Sequence, residues 1–411
     1  MKAAMPAAAT STEQGNQFRR KGMVSEAEQS YRAAIKAAET SSDQAELAKA
    51  LNNLAALLYE RSRYDEALPL YRQAVSLAEI VFGPEDSNTA VYLANLGELY
   101  RRTGKWPQAI AAATRALAIR EKLYGVNDPR LASSLNILAC IYFELGRHAE
   151  GDAAIARGLQ IRRDSGQTQD WVFAVLLEAE ATSLRVHGKT EEAGRNLVSA
   201  LAIAEGLFGP DSVQVGTSLN HLAALYEDQG KLAEALPLLQ RALAIRRDRL
   251  GSNHVSVAES LNNLASAYRR ANDLGQAELL QKEANGIWTR VSGKMDLSYA
   301  SGLNNLAEIY SMSGRTVEAE PLYREAISIW EAVAPEHVNL ATCLSNFALL
   351  FGRQAKASGA EKLLLRALAI RRKALGTEDA SVLAVELMLA KLYRAQRRDT
   401  EAAKLERHSF R

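Results

Sequence analysis

Leu51-Asn52-Asn53-Leu54-Ala55 returns in this 411-residue chain as Leu261-Asn262-Asn263-Leu264-Ala265 and as Leu303-Asn304-Asn305-Leu306-Ala307. The second leucine of each copy belongs to a ladder. Leu54, Leu96, Leu138, Leu222, Leu264 and Leu306 stand on a stride of 42 residues, with Glu180 in the one skipped place. Phe347 follows after 41 residues and Leu389 after another 42. Self-similarity at such a period marks a stack of repeated units, each packing on its neighbours, and not one compact core.

Within a repeat the apolar spacing is helical. Leu93, Leu96, Gly97 and Tyr100 fall on one face of a helix, which Gly104 is expected to end. A second helix is expected to start at Trp106-Pro107, where proline needs no amide partner, and to run to Gly125. Val126-Asn127-Asp128-Pro129 then reads as a turn into the next unit. One residue after each ladder position stand Ala55, Gly97, Ala139, Ala181, Ala223, Ala265, Ala307, Ala348 and Ala390. Thirteen after it stand Ala67, Ala109, Gly151, Ala193, Ala235, Ala277, Ala319, Ala360 and Ala402. Two helices approach closely only where no large side chain lies between them, so each unit reads as a helical hairpin, helix A then helix B, crossing at these small residues.

At Leu96, Gly97, Tyr100 and Ala109, and at their equivalents, the chain resembles the tetratricopeptide repeat. The long stride, the Leu-Asn-Asn-Leu-Ala wording and Arg241-Ala242-Leu243-Ala244-Ile245-Arg246 followed by Leu250-Gly251 are similar to the kinesin-light-chain subclass. The resemblance covers roughly residues 44–405. It implies an all-α fold, an α-α superhelix (a right-handed tetratricopeptide solenoid) of nine full helix pairs and one N-terminal partial pair. The coiled-coil heptads of light chains are not found in this sequence, so no motor attachment is implied. Gly22, Ala27, Tyr31 and Ala34 are expected to form a turn and helix B of the partial unit, with Glu13 to Arg20 as a short helix A. Residues 1–12 are expected as a disordered tail, and 13–411 as a single solenoid closed by a C-terminal capping helix with a polar end, Glu406 to Arg411.

Repeat four departs from the pattern. Glu180 takes the ladder place and Leu184 that of the tyrosine, while Leu177, Ala181, Gly188 and Ala193 keep the register. Drift in a tolerant array and a local bend both account for this. A buried Glu180 is costly unless paired, so it is expected to tilt toward an edge.

Fifty Lys and Arg against 48 Asp and Glu leave a net charge of +2, which provides no general field for nucleic acid or an anionic membrane. No apolar run is long enough to span a bilayer. Cys140 and Cys343 lie about five repeats apart and are expected to be small buried residues, not a disulfide. That usage suits a reducing compartment, and a cytoplasmic location is expected. The six histidines, His148, His187, His221, His254, His337 and His408, are scattered. None pairs at zinc-ligand spacing, and the chain has neither a phosphate loop nor a dinucleotide fingerprint. No enzyme activity, cofactor or metal is expected.

The expected site is therefore the surface lined by helices A. One residue before the ladder stand Asn53, Asn95, Asn263, Asn305 and Asn346; five and six after it stand Arg101 and Arg102, Arg269 and Arg270, with Arg353 and Arg394 in later units and Lys391 two after the last ladder residue. Asparagine is a poor helix former in mid-helix, so its recurrence needs a reason. Its amide suits a ligand main chain; it suits equally a hydrogen bond between neighbouring helices A. The sequence is compatible with both. The resemblance implies ligand-holding asparagines with Lys or Arg beside them. On that footing the chain is expected to be a non-catalytic scaffold for an extended peptide or helix of a protein partner, acidic groups being favoured, with repeats six to nine as the main site. Asn53, Asn95, Arg101 and Arg102 form a weaker patch. A recruitment segment of a larger signalling protein or enzyme is the alternative. A nucleic-acid binder using Arg246-Arg247 and Arg371-Arg372 is disfavoured by the charge balance and by missing aromatic interleaving.

Overall fold

The computed structural model describes residues 7–21, 23–377 and 379–409; the expected turn glycine Gly22 and the end of the expected polar cap, residues 410–411, lie outside them. The described residues form twenty α-helices and one short 3-10 turn, with no strand. They are α1 (Ala7–Arg20), α2 (Val24–Ser41), α3 (Gln44–Glu60), α4 (Tyr64–Val81), α5 (Ser87–Arg102), α6 (Trp106–Tyr124), α7 (Ala132–Glu144), α8 (His148–Asp164), α9 (Trp171–Val186) and α10 (Thr190–Phe208). They continue with α11 (Val213–Asp228), α12 (Leu232–Leu250), α13 (Val255–Arg270), α14 (Leu274–Val291), α15 (Leu297–Met312), α16 (Thr316–Val333), α17 (Val338–Arg353), α18 (Ala357–Leu375), α19 (Ala380–Ala395) and α20 (Asp399–Ser409). Odd-numbered helices are the helices A. The fold is an all-α solenoid of hairpins. α1 begins at Ala7, earlier than the expected short helix, so residues 7–12 are helical instead of tail: Thr12 is buried and Gly15 lies against the Tyr31 ring.

The chain divides into two compact units, residues 1–141 with 151–180, and residues 142–150 with 181–411. The first has Tyr31, Leu54, Leu58, Tyr71, Leu99, Leu131 and Leu159 among its buried side chains. The second has a continuous core that includes Leu239, Leu261, Trp288, Leu303, Trp330, Phe347 and Leu389. The breaks fall within α7, α8 and α9, the last after Glu180, which is partly exposed, as a carboxylate in the ladder place requires.

Every small residue at both expected crossings is buried. At Gly97 the reason is geometric. A Cβ there would stand 3.3 Å from the Ala113 amide nitrogen and 3.5 Å from the Ala109 carbonyl oxygen, so helix A rests almost directly on helix B. Ala265 in α13 and Ala277 in α14 are fully buried at the equivalent crossing of the second unit. Ala277→Leu is therefore expected to overpack that hairpin and lower stability by about 1–3 kcal/mol. A urea midpoint unchanged by the substitution would show that the crossing lies elsewhere.

Each helix A after α1 is entered through a side chain that accepts a backbone N–H, for α7 by way of the 3-10 turn that precedes it, which satisfies one of the orphan donors of a first turn. Asp43, Asp86, Asp128, Asp170, Ser212, His254, Asp296, His337 and Asp379 accept from Glu46, Asn88, Arg130, Phe173, Val215, Ser256, Tyr299, Asn339 and Ser381. Two of the scattered histidines are thus caps, each accepting at Nδ1 over 3.1 Å.

Candidate peptide-binding groove

In the first unit α1 touches α3 and α3 touches α5; in the second α11 touches α13, α13 touches α15 and α15 touches α17. Successive helices B make no comparable approach among the described residues. Helices A therefore line the inner face of each stack, where the expected site residues stand.

The asparagines tie neighbouring helices A together. Asn95 Nδ2 donates to Asn52 Oδ1 over 2.9 Å, Asn305 to Asn262 over 2.9 Å, and Asn346 to Asn304 over 3.2 Å. Asn53 donates over 3.2 Å to Asn16 Oδ1, which also accepts the Tyr31 hydroxyl at 2.8 Å. The donor stands one before the ladder residue and the acceptor two before the ladder residue of the preceding unit. This pairing accounts for the doublets Asn52-Asn53 and Asn304-Asn305, in which one residue serves each neighbour. The rung at Asn263 is open. Asn263 makes no hydrogen bond among the described residues, and Asn220, at the acceptor position, turns its Nδ2 to the Gly216 carbonyl and Ser260 hydroxyl while its buried Oδ1 is unpartnered.

The basic residues have partners too. Arg269 pairs with Glu308 at 2.6 Å, and Arg270 donates to the Glu227 carbonyl over 3.0 Å. Arg353 donates to the Ser311 carbonyl and hydroxyl over 2.9 and 3.1 Å. Arg394 pairs with Glu406 and Asp399, holding α20. In the first unit Arg101 pairs with Glu98, and Arg102 reaches the Tyr64 hydroxyl at 3.4 Å. Lys391 is exposed. Burial presses the Glu98 carboxyl upward, but Arg101 beside it wins and holds it below the usual carboxylate range. Glu227 goes the other way: burial outweighs Arg270 and raises it. In the groove of repeats six to nine Arg269, Arg270 and Arg394 thus stand against carboxylates and Arg353 against neutral Ser311 oxygens, which leaves Lys391 as the cation with neither kind of partner among the described residues.

A more open feature lies at the other end of the chain. Between α1 and α3 a cavity of about 610 Å³ is lined by Asn16, Arg19, Arg20, Lys49, Asn53 and Glu60. Arg19 pairs with Glu60, Lys49 stands 3.7 Å from Glu46, and Arg20 has no ion-pair partner among the described residues, so the lining is net positive. Asn53, assigned to the weaker patch by the sequence, is the expected site residue that this cavity contains. Its neighbour Arg20 escaped sequence reasoning because α1 lies outside the 42-residue ladder, and Lys49 because it stands on α3 five residues before Leu54, a place the repeat pattern does not mark.

The arginine pairs on helices B are structural. Arg246 is buried, and Arg247 pairs with Glu283. Arg371 donates to the Ser381 carbonyl and Thr342 hydroxyl, and Arg372 pairs with the fully buried Glu386. Burial pushes the Cys343 thiol up to about 12, which leaves it inert at neutral pH. Among the described residues no three His, Cys, Asp or Glu side chains converge on a metal position, and no helix is long and apolar enough to cross a membrane.

A family model described as "Tetratricopeptide repeat" matches residues 6–80, 46–122, 88–164, 173–248, 217–285 and 298–372. No curated protein matches the sequence. Among solved structures the chain is similar to a Rap protein complexed with Competence and Sporulation Factor, at 14% identity and a TM-score of 0.63, over 89% of this chain and 97% of that one. It is also similar to BtubC (BKLC) from P. vanneervenii, at 22% identity and a TM-score of 0.42, over 57% of this chain and 92% of that one. A kinesin-light-chain protein of Podosopora anserina with nearly identical TPR-like repeats matches at 24% identity and a TM-score of 0.40, over 48% and 94%.

Proposed function

Because the chain belongs to the tetratricopeptide repeat family, we propose that it is a non-catalytic scaffold that holds an extended, acidic peptide segment of a protein partner against its helices A. The observation that carries this reading is the cavity between α1 and α3. It places Asn16 and Asn53, hydrogen-bonded to each other, next to Arg20 and Lys49 on the inner face, with the Asn16 Nδ2 donating to nothing among the described residues. Amides match a peptide main chain in both donor and acceptor, and the cations match acidic side chains. Asn263, with its amide unengaged, is a separate candidate contact on the helices A of the second unit. Asn305 and Asn346 serve the stack and not the ligand in this reading. The Rap structure complexed with Competence and Sporulation Factor is a precedent for the fold holding a partner, and no more than that.

One experiment with two readouts tests the proposal. A partner is recovered from native lysate by cross-linking, and its bound segment is synthesised. Arg20→Glu with Lys49→Glu is expected to weaken that segment's binding about tenfold or more and to flatten its salt dependence, with the melting temperature nearly unchanged. Asn305→Ala is expected to do the reverse: about 1–2 kcal/mol less stability for a lost inter-helix hydrogen bond, with affinity intact. Undiminished binding by the charge-reversed double variant would remove the cavity from the site.

A further inference from the structure

The repeats of this chain serve as internal controls for one residue that has lost its partners. Twenty-four residues after the ladder position, on helix B, stand Arg120, Arg162, Arg246 and Arg371. Arg246 Nη2 donates to the Thr217 hydroxyl over 3.0 Å, and its Nη1 to the Ser256 carbonyl and Ser260 hydroxyl over 2.9 and 3.0 Å. Arg371 repeats this, with Thr342 at 3.1 Å and the Ser381 carbonyl at 2.7 Å. Arg162 turns to Gln167 and ion-pairs with Asp170. Arg120 keeps half of the arrangement. Its Nη1 donates to the Ser133 and Ser134 hydroxyls over 3.0 and 2.6 Å. Its Nε and Nη2 donate to nothing among the described residues, and no carboxylate pairs with it. The place held by Thr217 and Thr342 is here Val91.

Arg120 lines a cavity of about 720 Å³ in the first unit, together with Val91, Tyr124, Asp128, Arg130 and Arg162. Arg130 stacks on the Tyr124 ring, its Cζ 3.4 Å from the centroid, and pairs with Asp128. A guanidinium drawn partly out of water with no anion beside it is costly. Its pKa is correspondingly pressed down by burial. Two free donors on one guanidinium edge, set beside two serine hydroxyls, suit an anion with several acceptor oxygens better than a two-oxygen carboxylate. The volume leaves room for an organic group as well, within the range of small-molecule sites.

We propose that this cavity, bounded by α5, α6 and the start of α7, is an anion site that binds the phosphate of a phosphomonoester, with Arg120 as its anchor. The site is separate from the inner face formed by helices A and does not depend on the scaffold reading. A small phosphorylated metabolite and a phosphorylated serine side chain present the same chemistry to it.

The test is calorimetric titration of the full chain with inorganic phosphate, with adenosine monophosphate and with a phosphoserine peptide, repeated on Val91→Thr and Arg120→Gln. At least one ester is expected to bind more tightly than phosphate alone. Tighter binding by the nucleotide identifies a metabolite as the source, and tighter binding by the peptide a modified side chain. Arg120→Gln is expected to weaken binding about tenfold or more, the size of a charge-assisted pair. Val91→Thr restores the hydroxyl found in the sister repeats and closes the free edge from within, so it is expected to weaken binding severalfold with stability kept or improved. This second variant stands even if Arg120→Gln fails to fold. Absence of binding by all three probes, or affinities unchanged in Val91→Thr and in a folded Arg120→Gln, overturns the proposal.

Discussion

Trp330→Ala is expected to lower stability by about 3–5 kcal/mol, the range for truncating a buried tryptophan. Trp330 lies at the arginine position of helix B in α16, is 2% exposed, and belongs to the continuous core of the second unit. Its ring stacks on His337, with centroids 5.0 Å apart and planes 20° from parallel, so truncation removes a wall from the residue that caps α17. Solenoids lose structure by neighbouring units, and the loss is expected to begin in α16 and α17. Hydrogen exchange there should accelerate before exchange in α3 and α4 does. Trp330→Phe keeps an aromatic wall and should recover most of the loss. A Trp330→Ala midpoint within about 1 kcal/mol of wild type would contradict this account of the core.

Acid is the second large effect, and it acts through the same pair. His337 caps α17 by accepting the Asn339 amide at Nδ1, which requires the neutral ring. Burial lowers its pKa from 6.5 to about 4. The folded value thus lies below the unfolded one. The stabilising contribution is complete above about pH 6.5 and disappears as the pH falls from there to about 4. A shift of this size corresponds to roughly 3 kcal/mol over that window. His337→Asn retains a good cap that does not titrate. It should lose distinctly less stability than wild type between those two pH values, in urea titrations at fixed ionic strength. Parallel losses in the two proteins would show that the acid sensitivity comes from other groups.

The ladder of Leu54, Leu96, Leu138, Leu222, Leu264 and Leu306 and the small residues beside it determined the hairpin, its period and its register, because a close helix crossing admits only Ala or Gly and the sequence records that requirement directly. The C-terminal stop at Gly125 was also legible, and glycine stands at the end of helix B at Gly83, Gly209, Gly251, Gly293 and Gly376 as well. All six have positive φ, and at Gly125, Gly209, Gly251 and Gly376 ψ lies near 160–180°, a region essentially closed to other residues. The turn between helices A and B was legible only in part. It is left-handed at Gly104 and Gly230, but also at Ser62, Asn272, Ala355 and Arg397. There the packed hairpin imposes a conformation that costs a side chain about 1–2 kcal/mol, and local sequence cannot announce it. The site was the least legible part. Asn305 and Asn346 looked the same in sequence whether they faced a ligand or a neighbour, because an exposed amide and a bridging amide share a helical position. Only the distance between consecutive helices A decided that they link the stack. Arg120 and Arg246 share one repeat position, and only the tertiary environment, Val91 against Thr217, leaves one guanidinium open and closes the other.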